Sequence, residues 1–328
     1  MIRFATIGTN FIVDLFLEAA KQDKRLTYAA AYSRSESTGR KFAEKHGAEK
    51  VYTNLTELAE AKDIDAVYIA SPNYAHCEQA VLMLEHKKHV LCEKPICSNH
   101  AEFMKMERAA RENHAVLLEA MRPAYDPGIK AVKENLDKLG KIRRVAFRFC
   151  QYSSRYDKFK AGKIENAFKP ELSNGALMDI GVYCVHPLIL LFGRPERICA
   201  DAVFLENGVD AEGTILAGYQ GMLAELSYSK VTDGMPECEI QGEDGIMIID
   251  RLVDPKVLRI LYRKKEEERI CIAKSENNMI YEIERWCDLI KAKTPDESAL
   301  CVSGIEMEIM DAVRKQLHIV FPSDEKSR

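Results

Sequence analysis

At 328 residues the chain is long enough for two hydrophobic cores, since single cores stop growing near ~250–300 residues. Its 47 Lys and Arg against 51 Asp and Glu leave a net charge of −4, which excludes the basic footprint of a nucleic-acid groove or a polybasic membrane surface. Ten cysteines are scattered with no Cys-x-x-Cys and no His at zinc spacing, so they read as reduced, mostly buried thiols of a cytoplasmic protein, with no metal site.

No apolar run approaches the ~20 residues of a membrane span, and the N-terminus reads as a strand start, not a signal peptide. Residues 1–121 alternate strand and helix with short joins. Strands are expected at 3–7, 26–32, 49–52, 65–70, 89–92 and 115–119. Helices are expected between them at 14–22, 36–46 (ended by Gly47), 56–61, 75–85 and 101–113. With right-handed crossovers this half is an α/β Rossmann domain, a doubly wound parallel sheet.

The texture changes after Met121. A helix at 126–136 precedes strands at 145–152, 198–205, 213–219, 222–229, 237–241, 245–250, 257–262 and 269–273. The mixed-sign run from Arg263 to Arg269 reads as a hairpin tip. Further helices are expected at 181–192, 281–291 and 304–317. Residues 122–328 are therefore an α+β domain with a large, mostly antiparallel open sheet, expected to bind substrate and to self-associate. The segment 153–173 is long and polar, with Arg155, Tyr156, Lys158, Lys160 and Lys163. It is either a lid over the substrate or a disorder-prone insertion.

The first strand runs into Gly8-Thr9-Asn10-Phe11-Ile12-Val13. A dinucleotide fingerprint has Gly-x-Gly-x-x-Gly/Ala here, and only its first glycine is present. The loop still lies where backbone N–H groups and a helix dipole meet a pyrophosphate. Asn10, a residue tolerant of left-handed angles, is a plausible stand-in for the second glycine. NAD-specific folds place an acid at the end of strand two to bond the ribose 2′-hydroxyl. This chain has Ser33-Arg34 there, 26 residues after Gly8, and a guanidinium suits a 2′-phosphate. NADP is the expected cofactor, with NAD possible.

The most telling stretch is Lys88-His89-Val90-Leu91-Cys92-Glu93-Lys94-Pro95, an apolar strand that ends on an ion-forming pair and a proline. Strand ends of a parallel sheet are where such folds bind ligands. Strand four likewise ends on Ser71-Pro72-Asn73, which with His76 is expected beside the cofactor, though His76 reads equally as a surface residue opening the next helix. Glu119 and Arg122, at the end of strand six, are expected as ligand contacts.

These stretches, with Asp65 to Asn73 and Gly175-Ala176-Leu177-Met178-Asp179-Ile180-Gly181-Val182-Tyr183, resemble the glucose–fructose oxidoreductase/inositol dehydrogenase (Gfo/Idh/MocA) family. The resemblance implies that Lys94 approaches the nicotinamide and the reacting oxygen, and that Pro95 fixes the turn, sometimes through a cis bond. Many family members carry His where this chain has Tyr183, and dihydrodiol-dehydrogenase-like members carry Tyr, so the resemblance leans to that branch.

Hydride transfer at a carbinol carbon needs a group to take or give the oxygen's proton. Asp179 and Tyr183, four residues apart, would share a helix face. A tyrosine ordinarily titrates near ~10, and a neighbouring ammonium favours its ionised form. The expected set is Tyr183 as acid/base, Lys94 as its electrostatic partner and substrate donor, and Asp179 as orienter or hydroxyl acceptor. His186, which titrates in a more suitable range, is the second candidate.

The expected activity is NAD(P)-dependent oxidation or reduction of a sugar, polyol or dihydrodiol by a homodimer or dimer of dimers, without nucleic-acid or membrane partners. The alternatives are a non-catalytic NADP-binding sensor of the same fold, or an enzyme that uses tightly held nicotinamide for transient oxidation.

Overall fold

The computed structural model describes residues 1–326. The chain forms two compact units, Met1–Met121 with Ser275–Gly304, and Arg122–Lys274 with Ile305–Lys326.

The first unit is built on β1 (Ile2–Ile7), α1 (Phe11–Ala20), β2 (Leu26–Tyr32), α2 (Glu36–His46), β3 (Lys50–Tyr52), α3 (Leu55–Glu60), β4 (Ala66–Ile69), α4 (His76–Glu85), β5 (His89–Glu93), α5 (His100–Glu112) and β6 (Leu117–Ala120). All strand pairs are parallel, in the order β3-β2-β1-β4-β5-β6. The order reverses between β1 and β4, and a crevice at such a switch point is where doubly wound sheets take ligands. β4 and β6 are buried along their whole length, which explains apolar runs in place of alternation. Phe16 of α1 stacks on Tyr68 of β4 with ring centroids 3.7 Å apart.

The second unit opens with α6 (Arg122–Tyr125) and α7 (Pro127–Glu134), the latter capped by Asp126, whose carboxylate accepts from Gly128 N–H at 2.7 Å. β7 (Ile142–Cys150), α8 (Tyr156–Lys160), a π-helical turn (Leu177–Gly181) and α9 (Val182–Phe192) follow. Then come β8 (Arg197–Phe204), β9 (Asp210–Tyr219), β10 (Met222–Ser229), β11 (Cys238–Gly242), β12 (Gly245–Ile249), β13 (Val257–Tyr262) and β14 (Glu268–Cys271). The eight strands pair as β14-β13-β12-β11-β7-β10-β9-β8, antiparallel except for β7 with β10. Val145, Phe147, Ile215, Leu226, Ile240 and Met247 line one buried face, against which the π turn and α9 pack. Residues 263–267 form the expected hairpin tip between β13 and β14.

Four expectations change. First, a single division after residue 121 omits the return of Ser275–Gly304 to the first unit. α10 (Met279–Ala292) packs on α1, where Asn277 Nδ2 donates to Leu15 O at 2.9 Å and Arg25 pairs with Asp288. α11 (Glu297–Gln316) starts seven residues before the expected 304, and its Ser303 hydroxyl donates to Glu119. α12 (Pro322–Lys326) closes the chain.

Second, Pro170–Phe192 is long and apolar enough by composition to cross a membrane, against the expectation that no run is, but 78% of its apolar window is buried inside the protein. Third, segment 153–173 is not an unstructured insertion. Phe159, Ala167 and Phe168 pack with Val209 into a small core of their own, with Tyr156 against Phe168. Fourth, Asn10 is extended, with φ −90° and ψ 175°, so it does not replace a glycine by adopting a left-handed conformation.

Candidate functional site

Gly8 ends β1 with φ +122°, and a Cβ there would lie 2.7 Å from the Ala70 carbonyl oxygen at the end of β4. Only glycine lets the two strand ends meet so closely. Asn10 ties the same two ends by another route. Its Nδ2 donates to Ala70 O at 2.9 Å, while its Oδ1 caps α1 by accepting from Ile12 and Val13 N–H. Ile12 N–H is thereby taken up by the cap. Gly8 and Thr9 are half-buried, and Asn10 and Phe11 are exposed.

At the end of β2, Ser33 Oγ accepts from Ser35 N–H, and Ser35 caps α2. Gly39 lets α2 sit against this corner, since a Cβ there would approach Val51 Cγ1 to 2.6 Å. Arg34 is exposed, and its guanidinium makes no hydrogen bond or ion pair among the described residues. A positive charge without a protein partner, at the edge of the switch-point crevice, fits a phosphate monoester.

The turn after β5 is held from inside. The Lys94–Pro95 bond is cis. Glu93 accepts from Tyr68 OH at 2.6 Å and from Lys94 N–H at 3.2 Å. Glu119 accepts from Ile96 N–H at 3.0 Å and from the Ser303 hydroxyl at 2.5 Å. Glu102 accepts from Ser98 N–H at 2.9 Å, while Asn99 caps α5. Three buried carboxylates thus satisfy alternate backbone donors of one buried turn, as buried N–H groups require. The Lys94 side chain is half-buried, unlike those of its buried neighbours Glu93 and Pro95.

Three of the expected ligand contacts have protein partners in this arrangement. His76 is fully buried, with Nδ1 3.1 Å from Pro95 O and Nε2 2.8 Å from Ser71 O. It is not a surface residue but sits between the β4 and β5 ends, and burial holds its pKa below the usual histidine value. Glu93 and Glu119, at 8% and 3% exposure, turn their carboxylates to these backbone donors. Ser71 Oγ donates to Gln79 at 2.7 Å, Pro72 is half-buried, and Asn73 is buried.

In the second unit, the π turn and α9 carry Asp179, Tyr183 and His186 in succession. π-helical turns are rare and recur at functional sites. Asp210 makes this one possible. Its Oδ2 accepts from Leu177 N–H at 2.6 Å, and a Cβ on Gly175 would sit 1.8 Å from its Oδ1. Burial raises the Asp210 carboxyl to about 6, against the opposing pull of the backbone N–H groups and Lys230. Gly181 leaves room for the Tyr228 ring, which a Cβ would meet at 3.1 Å.

Asp179 Oδ2 lies 2.7 Å from Lys230 Nζ, a partner that sequence patterning does not reveal. Tyr183 is 7% exposed and packs edge-to-face on Phe149 at 5.5 Å. His186 is buried. Its Nδ1 is 2.6 Å from buried Glu306 on α11. Arg122, the first residue of the unit, is half-buried in α6.

The Rossmann order, the glycine-dependent turn and the cis Lys94–Pro95 corner coincide with two family matches. "Oxidoreductase family, NAD-binding Rossmann fold" covers residues 2–121, and the "GFO/IDH/MocA C-terminal domain" covers residues 129–248. The chain belongs to the Gfo/Idh/MocA oxidoreductase family. It is 46% identical over 99% of its length to all of scyllo-inositol 2-dehydrogenase (NADP(+)) IolU of Bacillus subtilis. It is 28% identical to the mouse trans-1,2-dihydrobenzene-1,2-diol dehydrogenase, over 99% of each chain. The 3-ketoreductase KijD10 of Actinomadura kijaniata, crystallised with NADP and TDP-benzene, shares the fold with a TM-score of 0.88 at 24% identity, over 96% of this chain and 97% of that one.

Asp210 makes a pH prediction. A carboxyl whose folded pKa is raised adds stability fully below its ordinary value, and that contribution is lost as pH rises through about 6. Asp210→Asn keeps the oxygen that accepts from Leu177 and cannot ionise. Between pH 4.5 and 7 the stability difference should move in the variant's favour by about 2 kcal/mol, read from urea denaturation. Parallel pH–stability curves for the two proteins would contradict it.

Proposed function

We propose that this protein is an NADP-dependent dehydrogenase of cyclic polyols, acting on the secondary alcohol of an inositol or a closely related diol. The observation that carries the reading is the unpartnered Arg34 at the end of β2, in a chain 46% identical along its length to an NADP-dependent inositol dehydrogenase. Gly8 and Asn10 shape the turn that would take the pyrophosphate, and Ser33 and Arg34 the corner that would take the 2′-phosphate.

When bound, the nicotinamide accepts or supplies the hydride. The chain's own residues handle the proton and the orientation. Tyr183 takes the hydroxyl proton in oxidation and returns it in reduction. Lys94 donates a hydrogen bond to the reacting oxygen, and its charge favours the oxygen's ionised form. Asp179, an acceptor held by Lys230, orients the substrate through a neighbouring hydroxyl. The engagement of His186 with Glu306 supports Tyr183 over His186 as the acid/base.

Self-association through the outer face of the eight-stranded sheet is part of the proposal. Val203, Leu216 and Leu223 are 56%, 42% and 43% exposed there. In the antiparallel register Leu216 stands opposite Glu225, which pairs with Arg144, so charged and apolar side chains mix on that face.

The first test is a screen of inositols, other polyols and dihydrodiols with NADP and NAD, following absorbance of the reduced cofactor. Tight NADP binding with no turnover on any of them would replace the reading with a sensor. Arg34→Ala should raise the KM for NADP by roughly 10–100-fold, as loss of a charge-assisted hydrogen bond does, and leave that for NAD unchanged. A wild-type enzyme that uses NAD and ignores NADP would refute this assignment. Tyr183→Phe should lower kcat by roughly 10²–10⁴ with NADP affinity intact, whereas a near-normal rate removes Tyr183 from the chemistry. Light scattering should give a mass of at least twice the chain, and a monomer would end the self-association proposal.

A further inference from the structure

Lys230 follows the last residue of β10 and is among the most deeply buried side chains of the protein, at 1% exposure. A buried ammonium is costly unless each of its three donors is satisfied. One donor meets Asp179 Oδ2 at 2.7 Å. Another meets the Ala167 carbonyl oxygen at 2.8 Å. The charge also lies 4.8 Å from the centre of the Phe168 ring, within cation–π range. Its backbone N–H donates to Ala211 O at 2.9 Å, next to buried Asp210, whose carboxyl feels the Lys230 charge.

The facing groups are thus Asp179 from the π turn, Asp210 from β9, and Ala167 and Phe168 from the small core of segment 153–173. Lys230 is fixed from several sides, whereas the Asp179 side chain keeps 33% exposure. The immobile partner sets the orientation of the accessible one.

On the reading of Asp179 given above, we propose that Lys230 is a positioning residue: it holds Asp179 as an oriented hydroxyl acceptor and anchors segment 153–173 to it through Ala167. A lysine that served only packing would not need its charge against a half-open carboxylate. With Lys230 removed, Asp179 loses this cation. Substrate orientation weakens, and the acid limb of the kcat/KM profile moves to higher pH.

The test compares Lys230→Met, Lys230→Arg, Asp179→Asn and the Asp179→Asn/Lys230→Met double variant. Lys230→Met should lower kcat/KM for the polyol by about 10²-fold, the size expected for a misplaced orienting group, with the NADP dissociation constant unchanged. Its acid limb should shift upward, Lys230→Arg should restore most of the loss, and Lys230→Met should cost nothing further in the Asp179→Asn background. A lower melting temperature with unchanged kcat/KM and pH profile, or additive losses in the double variant, overturns the proposal.

If Lys230→Met does not fold, Lys230→Gln, which also removes the charge, carries the same readouts. If the wild type turns over no polyol, the proposed function fails by itself. Lys230 is then read from the Asp179 carboxyl titration by carbon NMR, assigned with Asp179→Asn. That pKa should rise when the ammonium is removed, and an unmoved titration refutes the role.

Discussion

A buried turn has to satisfy its own backbone, and the arrangement around Lys94 follows from that requirement. β5 lies between β4 and β6 in the parallel sheet, and the chain that leaves it is buried from Pro95 to Asn99, where water cannot take up its N–H groups. Pro95 has no N–H to satisfy. Lys94, Ile96 and Ser98 do, and each is met by a carboxylate from a different element: Glu93 of β5, Glu119 of β6 and Glu102 of α5. Tyr68 and Ser303 hold two of these acids, and His76 closes the corner through its two carbonyl contacts. The result is a turn whose backbone donors are met from three elements and at which the Lys94 side chain is half-buried.

The second unit solves a similar problem with charges at the ends of its sheet. Lys274 is buried between Asp126 and Asp254, at 2.7 and 2.6 Å, and so connects the chain beyond β14 to the cap of α7. Asp210 accepts from the start of the π turn, and Lys230 accompanies Asp179 at its middle. The side chains of Asp210, Lys230 and Lys274 are buried, at positions where an apolar side chain would leave backbone or carboxylate groups unmatched, whereas the Asp179 side chain keeps 33% exposure.

Periodicity made most of this architecture legible. Alternation along β7 to β14 and the strand–helix rhythm of the first unit follow from burial of one face or two, and burial is what hydrophobic pattern records. The Lys88–Pro95 stretch was legible because a strand rarely ends on two charges. What lies inside the turns was not. Glu93 and Glu119 stand at strand ends where ligand contact is the ordinary expectation, yet their carboxylates accept from backbone N–H groups of the turn, while His76 lies between two backbone carbonyls. Lys230 and Asp210 carry no local signal at all, since a buried charge is defined by partners distant in sequence. The apolar Phe159 and Phe168 within an otherwise polar segment were the available hint that residues 153–173 have a core.

The return of Ser275–Gly304 to the first unit bears on how the chain comes into being. On the ribosome, the sheet that would receive the nucleotide is made first, yet α1 acquires its α10 neighbour and Glu119 its Ser303 donor only when almost the entire chain has emerged. The nucleotide half therefore begins early and is finished late. A newly made chain cannot acquire a complete cofactor platform before the half that would hold its substrate has also been synthesised.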